Sequence, residues 1–173
     1  MVFLDLEDDQ YEYEGYTHTR LIVGGVVIDR QRRFALHHLF RDDVFGKADY
    51  FEIPGGGVKE NENIEEALKR ECLEELGAKI SIIAQLGIVN DAYNLIKRKN
   101  ENHYFICSLL EKGDPHFESQ GDLLIKETLW VGLDEGIALL KGHKDVGVPE
   151  LVKARELPIL LEAKRLFEAS LVK

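Results

Sequence analysis

The chain has 173 residues, of which 45% are hydrophobic and 31% charged, enough for one domain of ordinary size. Its 22 basic residues stand against 32 acidic ones, and the resulting formal net charge of −10 disfavours nucleic-acid polymers and anionic membranes as partners. We expect no secretory leader and no membrane span, because the longest apolar run, LIVGGVVI, has only eight residues.

The chain begins with an acidic, tyrosine-rich segment. Residues 1–16 are predicted to be an N-terminal arm, and the sequence leaves open whether they form an ordered edge or a loose extension. Residues 17–173 are predicted to be a single domain. Two cysteines, Cys72 and Cys107, lack metal-site spacing and lie among apolar neighbours, so we expect reduced core residues and a cytoplasmic location.

The next segment is predicted to be built of β-strands. β-branched residues predict a buried strand at 19–29, and FALHHLF at 34–40 predicts a second. Because a short turn separates them, we expect a hairpin over 19–40. A loop at 42–49 and a short strand ended by Pro54 would follow.

A helix over residues 64–76 has clear start and stop signals. Asn63 is a plausible N-cap with Glu66 three residues later, the spacing of a capping box. Gly77 stands where a left-handed C-cap residue belongs. Apolar residues recur inside this span at helical spacing, which predicts one face packed against a sheet.

The second half of the chain is predicted to contain three more strands and two helical segments. The strands are expected at 78–89, 103–110 and 128–133, with Asp134 capping the helix that follows.

The tail is helical in pattern over 149–172, where Pro158 is expected to break or restart the helix. The element order β-β-β-α-β-β-β-α-α predicts an α/β fold, an α/β/α sandwich in which a mixed sheet has helices on both faces.

The predicted helix at 64–76 carries an unusual group of acids. At 100° per residue, Glu71, Glu74 and Glu75 fall within an arc of roughly 100°. Like charges at this spacing repel by a few tenths of a kcal/mol per pair, and a hard divalent cation would reverse the sign of that interaction. A solvated surface face is the plain alternative. Arg70 beside the acids and the three glycines before the helix favour a site for cation and phosphate.

This stretch resembles the signature of a known family. From Gly56 it follows G-x5-E-x7-R-E-C-L-E-E-L-G-A, and the matching positions are Gly56, Glu62, Arg70, Glu71, Glu74, Glu75 and Gly77. It is similar to the Nudix box, G-x5-E-x7-R-E-U-x-E-E-x-G-U, with Cys72 and Ala78 as small residues at the aliphatic positions. IPGGG and TLWVGLDEGIALL extend the resemblance to about residues 19–141, and the tail resembles a MutT-related bacterial subgroup of Nudix hydrolases.

The resemblance implies both a chemistry and a set of roles. Family members cleave a nucleoside diphosphate linked to another group by attack of water on phosphorus, with Mg²⁺ or Mn²⁺ as cofactor. Carried over residue by residue, Glu71, Glu74 and Glu75 would bind the metal together with the Gly55 carbonyl. Glu62 and Arg70 would brace the loop against the helix, and Gly56 would allow a sharp turn in that loop. Gly77 would end the helix.

The resemblance leaves the substrate open. Nucleoside triphosphates, nucleotide sugars and dinucleoside polyphosphates all remain, as does the alternative of a nucleotide-binding sensor module without turnover. The expected partner is a small nucleotide, and either the arm or the C-terminal helices could mediate a homodimer.

A further acid from a downstream loop often completes the site in this family. The segment GDPHFESQGDLLIKE offers Glu118, Asp122 and Glu127, and Glu118 is the first choice because its surroundings are least strand-like. Each of these acids on its own is more typical of a surface residue than of a ligand.

Other polar residues are candidates for substrate contact. Of the neighbours His37 and His38, one should face the ligand side of the sheet; a structural histidine is the favoured interpretation, and His38 is the candidate for substrate contact. Arg20 at the start of the first strand could meet a phosphate, and an ordinary surface arginine is an equal alternative. The basic run at 96–104 could do the same, although a solvated hairpin tip is the favoured interpretation.

Overall fold

The computed structural model describes residues 1–171, which form eight strands and three helices. The strands are β1 (Val2–Asp5), β2 (His18–Ile28), β3 (Phe34–Asp43), β4 (Gly46–Glu52), β5 (Gly55–Gly57), β6 (Ala78–Tyr93), β7 (Arg98–Lys112) and β8 (Ile125–Val131). The helices are α1 (Ile64–Leu76), α2 (Leu133–Lys141) and α3 (Gly147–Leu171). The predicted helix end at residue 172 lies outside the described residues.

All eight strands belong to one mixed sheet. Its main order is β1-β6-β7-β2-β3-β4, with β5 paired to β2 and β8 paired to β3. The pairs β1–β6 and β2–β7 are parallel, whereas the others are antiparallel. The predicted mixed sheet is therefore confirmed.

Two apolar cores lie on opposite faces of the sheet. The smaller one joins α1 to the sheet through buried residues such as Leu68, Cys72 and Cys107. The larger one packs α2 and α3 on the other face, with Leu140 and Leu160 fully buried. This arrangement confirms the α/β/α sandwich, and both cysteines are free, buried core residues as expected. No helix within residues 1–171 combines the length and apolarity needed to cross a bilayer.

The predicted hairpin over residues 19–40 is wrong in its pairing. A turn does join β2 to β3, but the two strands pair only at Ile28 and Phe34. Along its length β2 instead runs parallel to β7 and antiparallel to β5, while β3 pairs with β4 and β8. The partners of β2 come from distant parts of the chain, so local turn signals could not identify them.

The predicted loop at 42–49 is also wrong. Residues to Asp43 continue β3, and β4 begins at Gly46, so the two form a tight hairpin. Gly46 has φ +84°, which lets the chain reverse within two residues. The polar residues that suggested a loop are the exposed end of this hairpin.

The C-terminal helices differ from prediction at two points. Helix α2 begins at Leu133 with Gly132 as N-cap, whereas Asp134 lies in the first turn and its carboxylate pairs with Lys164 at 2.6 Å. Helix α3 continues through Pro158 without a break. Burial of Ile159 and Leu160 on the sheet offsets the backbone hydrogen bond that proline cannot make.

The N-terminal segment contributes a strand to the sheet. Val2–Asp5 pairs parallel with Gly87–Asn90 of β6, at the edge of the sheet. Further along, the buried Asp8 carboxylate accepts a hydrogen bond of 2.7 Å from the Asn94 amide. The ordered-edge alternative therefore applies to residues 2–5, and the domain boundary at residue 17 stays a prediction.

Candidate active site

Helix α1 is fixed at both ends by local contacts. The Asn63 side chain accepts from the Glu66 amide at 2.9 Å, and the Glu66 carboxylate accepts from the Asn63 amide at 3.0 Å. Gly77 adopts the left-handed conformation at φ +62° and closes the helix. The predicted bounds, capping box and C-cap are confirmed, and they place the three candidate metal ligands in the last two turns.

Arg70 joins the glycine loop to the acids of α1. Its Nε donates to Glu62 at 2.7 Å, and its Nη2 donates to the Gly57 carbonyl at 2.9 Å. Its Nη1 donates to Glu71 at 2.6 Å and to Glu74 at 3.1 Å. Hydrogen bonding to Arg70 lowers the pKa of Glu62 to about 2, and these acids together raise the pKa of Arg70. The loop and the helix are thus held by one guanidinium.

Glu71 lies beneath the glycine loop. Its carboxylate is buried, and a Cβ atom on Gly56 would lie 2.5 Å from Glu71 Oε1. Burial, together with the carboxylates of Glu75 and Glu74, raises the pKa of Glu71 to about 7 against the effect of Arg70. A glycine at position 56 therefore leaves the space that this carboxylate occupies.

Glu75 is held from two sides. Its Oε2 lies 3.0 Å from His37 Nε2 and accepts from the Gly55 amide at 2.9 Å. Burial raises the pKa of Glu75, while His37 and the Gly55 amide oppose that shift. The other ring nitrogen of His37 lies 2.9 Å from Thr128 Oγ1, so the imidazole is fixed between β8 and α1.

His38 faces the other side of β3, which corrects the selection made from sequence. Its ring nitrogens contact the carboxylates of Asp49 and Glu127, and its ring stacks on Phe51 at 4.7 Å. Side chains alternate along a strand, and the sequence alone did not establish which parity faces the ligand. His37 takes the position expected of His38, and Glu127 is held away from the acids of α1.

The loop after β7 brings two acids to the site. Glu118 is exposed, and its carboxylate lies 3.9 Å from Lys59 Nζ, which is itself 3.7 Å from Glu74. Asp122 is buried and accepts from the Glu118 and Ser119 amides, both at 2.9 Å, and from the Ser119 hydroxyl. Burial opposes the shift, but these hydrogen bonds lower the pKa of Asp122.

A cavity of about 520 Å³ extends from these acids across the sheet toward β7 and α3, and five of them line it: Glu71, Glu74, Glu75, Glu118 and Asp122. Arg20, near the start of β2, lines it as well, and its contact with phosphate stays a prediction. Three further residues line it: sequence reasoning included Arg98 only within a basic run and missed Arg155 and Glu156. The only signal for Arg98 was the basic run at 96–104, whereas nothing local distinguished the two residues on α3.

The donor atoms at the acid end are suited to a hard divalent cation. They are carboxylate and carbonyl oxygens, partly buried, and burial together with the neighbouring carboxylates raises the pKa of Glu71. Within the described part of the chain, no three His, Cys, Asp or Glu side chains are already gathered as metal ligands. Arg70 instead balances the charge of Glu71 and Glu74, and His37 contacts Glu75.

A mixed sheet between helices, with a glycine loop that leads into an acid-lined helix, defines the architecture of a Nudix-type hydrolase. The model of the NUDIX domain matches residues 18–149, which is more than half of the chain. The chain therefore belongs to the NUDIX family.

Known proteins resemble the chain in sequence and in fold. It is 42% identical over 114 residues to an 8-oxo-dGTP diphosphatase of Buchnera aphidicola subsp. Schizaphis graminum, which covers 66% of this chain and 78% of the relative. A second 8-oxo-dGTP diphosphatase, from Buchnera aphidicola subsp. Acyrthosiphon pisum, is 37% identical over 70 residues, or 40% of this chain; the match spans only about half (54%) of that relative. The crystal structure of a MutT protein from Methanosarcina mazei Go1 shares the fold, with a TM-score of 0.61 at 19% identity over 89% of this chain and 97% of that one.

Proposed function

We propose that the chain is a divalent-metal-dependent pyrophosphohydrolase that cleaves the diphosphate linkage of a small nucleoside-diphosphate derivative. The observation that carries this proposal is the convergence of Glu71, Glu74 and Glu75 with the glycine loop at one cavity. Family membership supports the same activity, as do two relatives named as 8-oxo-dGTP diphosphatases. Nucleoside triphosphates such as 8-oxo-dGTP, nucleotide sugars and dinucleoside polyphosphates are the candidate substrates, and the free cysteines suit a reducing cytoplasm.

The acid end of the cavity would hold Mg²⁺ or Mn²⁺ through Glu71, Glu74, Glu75 and the Gly55 carbonyl. A cation bound there neutralises phosphate charge and lowers the pKa of the attacking water. Arg70 orients Glu71 and Glu74, while His37 and the Gly55 amide orient Glu75. The chain's own part in the reaction is thus to hold these carboxylates in position, so that water attacks phosphorus in line with the leaving group.

We assign the additional acid to Glu118. Its carboxylate is 62% exposed at the cavity, and among the described residues its one ion pair is with Lys59. It is therefore able to accept a proton or to bind the metal. Both oxygens of Asp122 are already bound by loop amides and the Ser119 hydroxyl, an arrangement that shapes the loop. Glu118→Gln should lower kcat with little change in melting temperature, whereas Asp122→Asn should lower the melting temperature. The reverse pattern would exchange the two roles.

The proposal is tested by incubating the protein with one member of each substrate class in Mg²⁺, Mn²⁺ or EDTA. We expect release of nucleoside monophosphate or phosphate with either metal and none in EDTA. Glu74→Gln should lower kcat by at least about 10²-fold, because it replaces one carboxylate oxygen by an NH2 group and removes a negative charge from the acid group. Glu65→Gln, an exposed glutamate in the first turn of the same helix, is the matched control and should behave like the unaltered protein.

Two results would overturn this function. Tight nucleotide binding without turnover of any panel member would indicate a sensor module. Full activity of Glu74→Gln would show that the metal lies elsewhere.

A further inference from the structure

Five arginines line the cavity, and they fall into two groups. Three are paired with carboxylates: Arg41 with Asp43, Arg70 with Glu62, Glu71 and Glu74, and Arg155 with Asp91 and Glu156. The other two, Arg20 and Arg98, have no side-chain hydrogen bond or ion pair with any of residues 1–171. In a chain with 32 acidic residues, two arginines without a carboxylate partner in one cavity require an explanation.

Strand pairing places these two arginines at diagonal positions on neighbouring strands. In the parallel register of β2 and β7, Arg98 lies opposite His18 and Arg20 lies opposite Asn100. Arg20 packs on the glycine loop, where a Cβ atom on Gly57 would lie 2.5 Å from Arg20 Nη2. Since Arg70 binds the carbonyl of the same Gly57, Arg20 borders the acid end of the cavity directly, and Arg98 lines the same cavity.

The environment of Arg98 is unfavourable for a cation that has no anionic partner. Its Nε is buried without a hydrogen-bond partner, although its guanidinium lies over the Tyr93 ring at 5.4 Å. Burial lowers the pKa of Arg98, and the charge of Arg20 lowers it further. An anion between the two guanidinium groups would remove both penalties, and phosphate matches their planar donor geometry.

We propose that Arg20 and Arg98 form a subsite for a phosphate group that is additional to the diphosphate held at the acid end. This proposal rests on the proposed function and narrows its substrate class. A nucleoside triphosphate or a dinucleoside polyphosphate provides the additional phosphate, whereas a nucleotide sugar with an uncharged sugar does not. The chain therefore selects polyphosphates over nucleotide sugars.

The first test measures binding without metal or turnover. Inorganic triphosphate and pyrophosphate are titrated calorimetrically in EDTA into the unaltered protein, Arg98→Gln and Arg20→Gln. We expect triphosphate to bind more tightly than pyrophosphate and each substitution to weaken triphosphate binding about 10-fold or more. Arg30→Gln removes the same charge from the exposed turn between β2 and β3, and it should bind like the unaltered protein.

The binding test has clear contrary outcomes. No measurable triphosphate binding by the unaltered protein would overturn the subsite, as would equal binding by Arg98→Gln and Arg30→Gln. Arg20 is exposed, so Arg20→Gln keeps the test valid if Arg98→Gln fails to fold.

The second test compares kcat/KM for a nucleoside triphosphate, a dinucleoside tetraphosphate and a nucleotide sugar. Arg98→Gln should lower the ratio of triphosphate to nucleotide-sugar kcat/KM by about 10-fold, and Arg98→Lys should restore part of it. Comparing kcat/KM for the dinucleoside tetraphosphate with that for the nucleoside triphosphate shows which of the two compounds supplies the additional phosphate. Equal losses on all three substrates would overturn the subsite. If none of the three substrates is turned over, the proposed function is overturned, and the calorimetry alone decides whether the subsite exists.

Discussion

Replacing Arg155 by methionine should strongly destabilise the fold, since Arg155 is the central cation of a buried network. The side chain is 5% exposed and donates to Tyr104 at 2.8 Å, Tyr93 at 2.9 Å, Asp91 at 3.0 Å and Glu156 at 3.2 Å. Methionine has a similar volume, so the change removes the charge and the hydrogen bonds rather than opening a large cavity.

The magnitude follows from the two acids that would remain. Asp91 and Glu156 are 7% and 1% exposed, and without Arg155 both would be buried without a cation. Breaking a buried ion pair from one side costs about 3–5 kcal/mol. At about 2–4 °C per kcal/mol for a chain of this size, the melting temperature should fall by about 6–20 °C.

The pH dependence of the loss distinguishes this mechanism from a packing defect. Burial raises the pKa of Glu156 to about 8 even though Arg155 lowers it, and the unfolded value is 4.5. The folded state therefore binds the proton more tightly, and stability falls as pH rises from 4.5 to 8. Removing Arg155 raises the folded pKa further, so the deficit of Arg155→Met should be larger at pH 8 than at pH 5.

Urea unfolding followed by the fluorescence of the single tryptophan, Trp130, measures the free energy of unfolding. Arg30→Met, in an exposed turn, is the control and should change it by less than about 0.5 kcal/mol. Adding Glu156→Gln to Arg155→Met should recover part of the loss, because an amide at this position requires neither a cation nor the uptake of a proton on folding. A loss below about 1 kcal/mol at pH 7, or one that does not depend on pH, would refute the reasoning.

Two further substitutions test the structure away from the cavity, each by urea unfolding with a matched control. Gly77→Ala should cost more than about 1 kcal/mol, because φ is +62° and the new Cβ would overlap the Gly113 carbonyl. Gly121→Ala is the control: φ is −63° there, the nearest atom to the new Cβ lies at 3.5 Å, and stability should change by less than about 0.5 kcal/mol. Leu160→Ala should cost about 2–5 kcal/mol because the side chain is fully buried, whereas Leu161→Ala, at a position 46% exposed, should cost less than about 1 kcal/mol. Similar losses at both members of either pair would contradict the assigned packing.

The features that could be predicted from sequence are those set by neighbours along the chain. The bounds of α1 depend on Asn63, Glu66 and Gly77, all within one turn of a helix end, and they match the structure. The spacing of Glu71, Glu74 and Glu75 on that helix is fixed by helical geometry alone. The family signature adds Glu62 and Arg70, whose contact is local to the loop and helix.

The features that could not be predicted depend on pairing between distant strands. The choice between His37 and His38 depends on which face of β3 meets α1, and this is decided by contacts with Thr128 and Glu75 far along the chain. Arg98 was interpreted as part of a solvated hairpin tip because its parallel alignment beside β2 is not visible locally. In both cases the sequence identified a polar candidate residue, and only the tertiary structure determined which way its side chain points.

The net charge of −10 and a polyanionic substrate are compatible because the charges that act on a bound phosphate are local. At physiological ionic strength, charges on exposed groups are largely screened beyond about 8 Å, so most surface acids contribute little inside the cavity. A polymer contacts a wide area and meets the average negative field, whereas a small polyphosphate would meet only the acid end, with the cation proposed there, and the proposed Arg20–Arg98 subsite. The composition that disfavours nucleic acid therefore places no such restriction on a nucleotide with three or more phosphates.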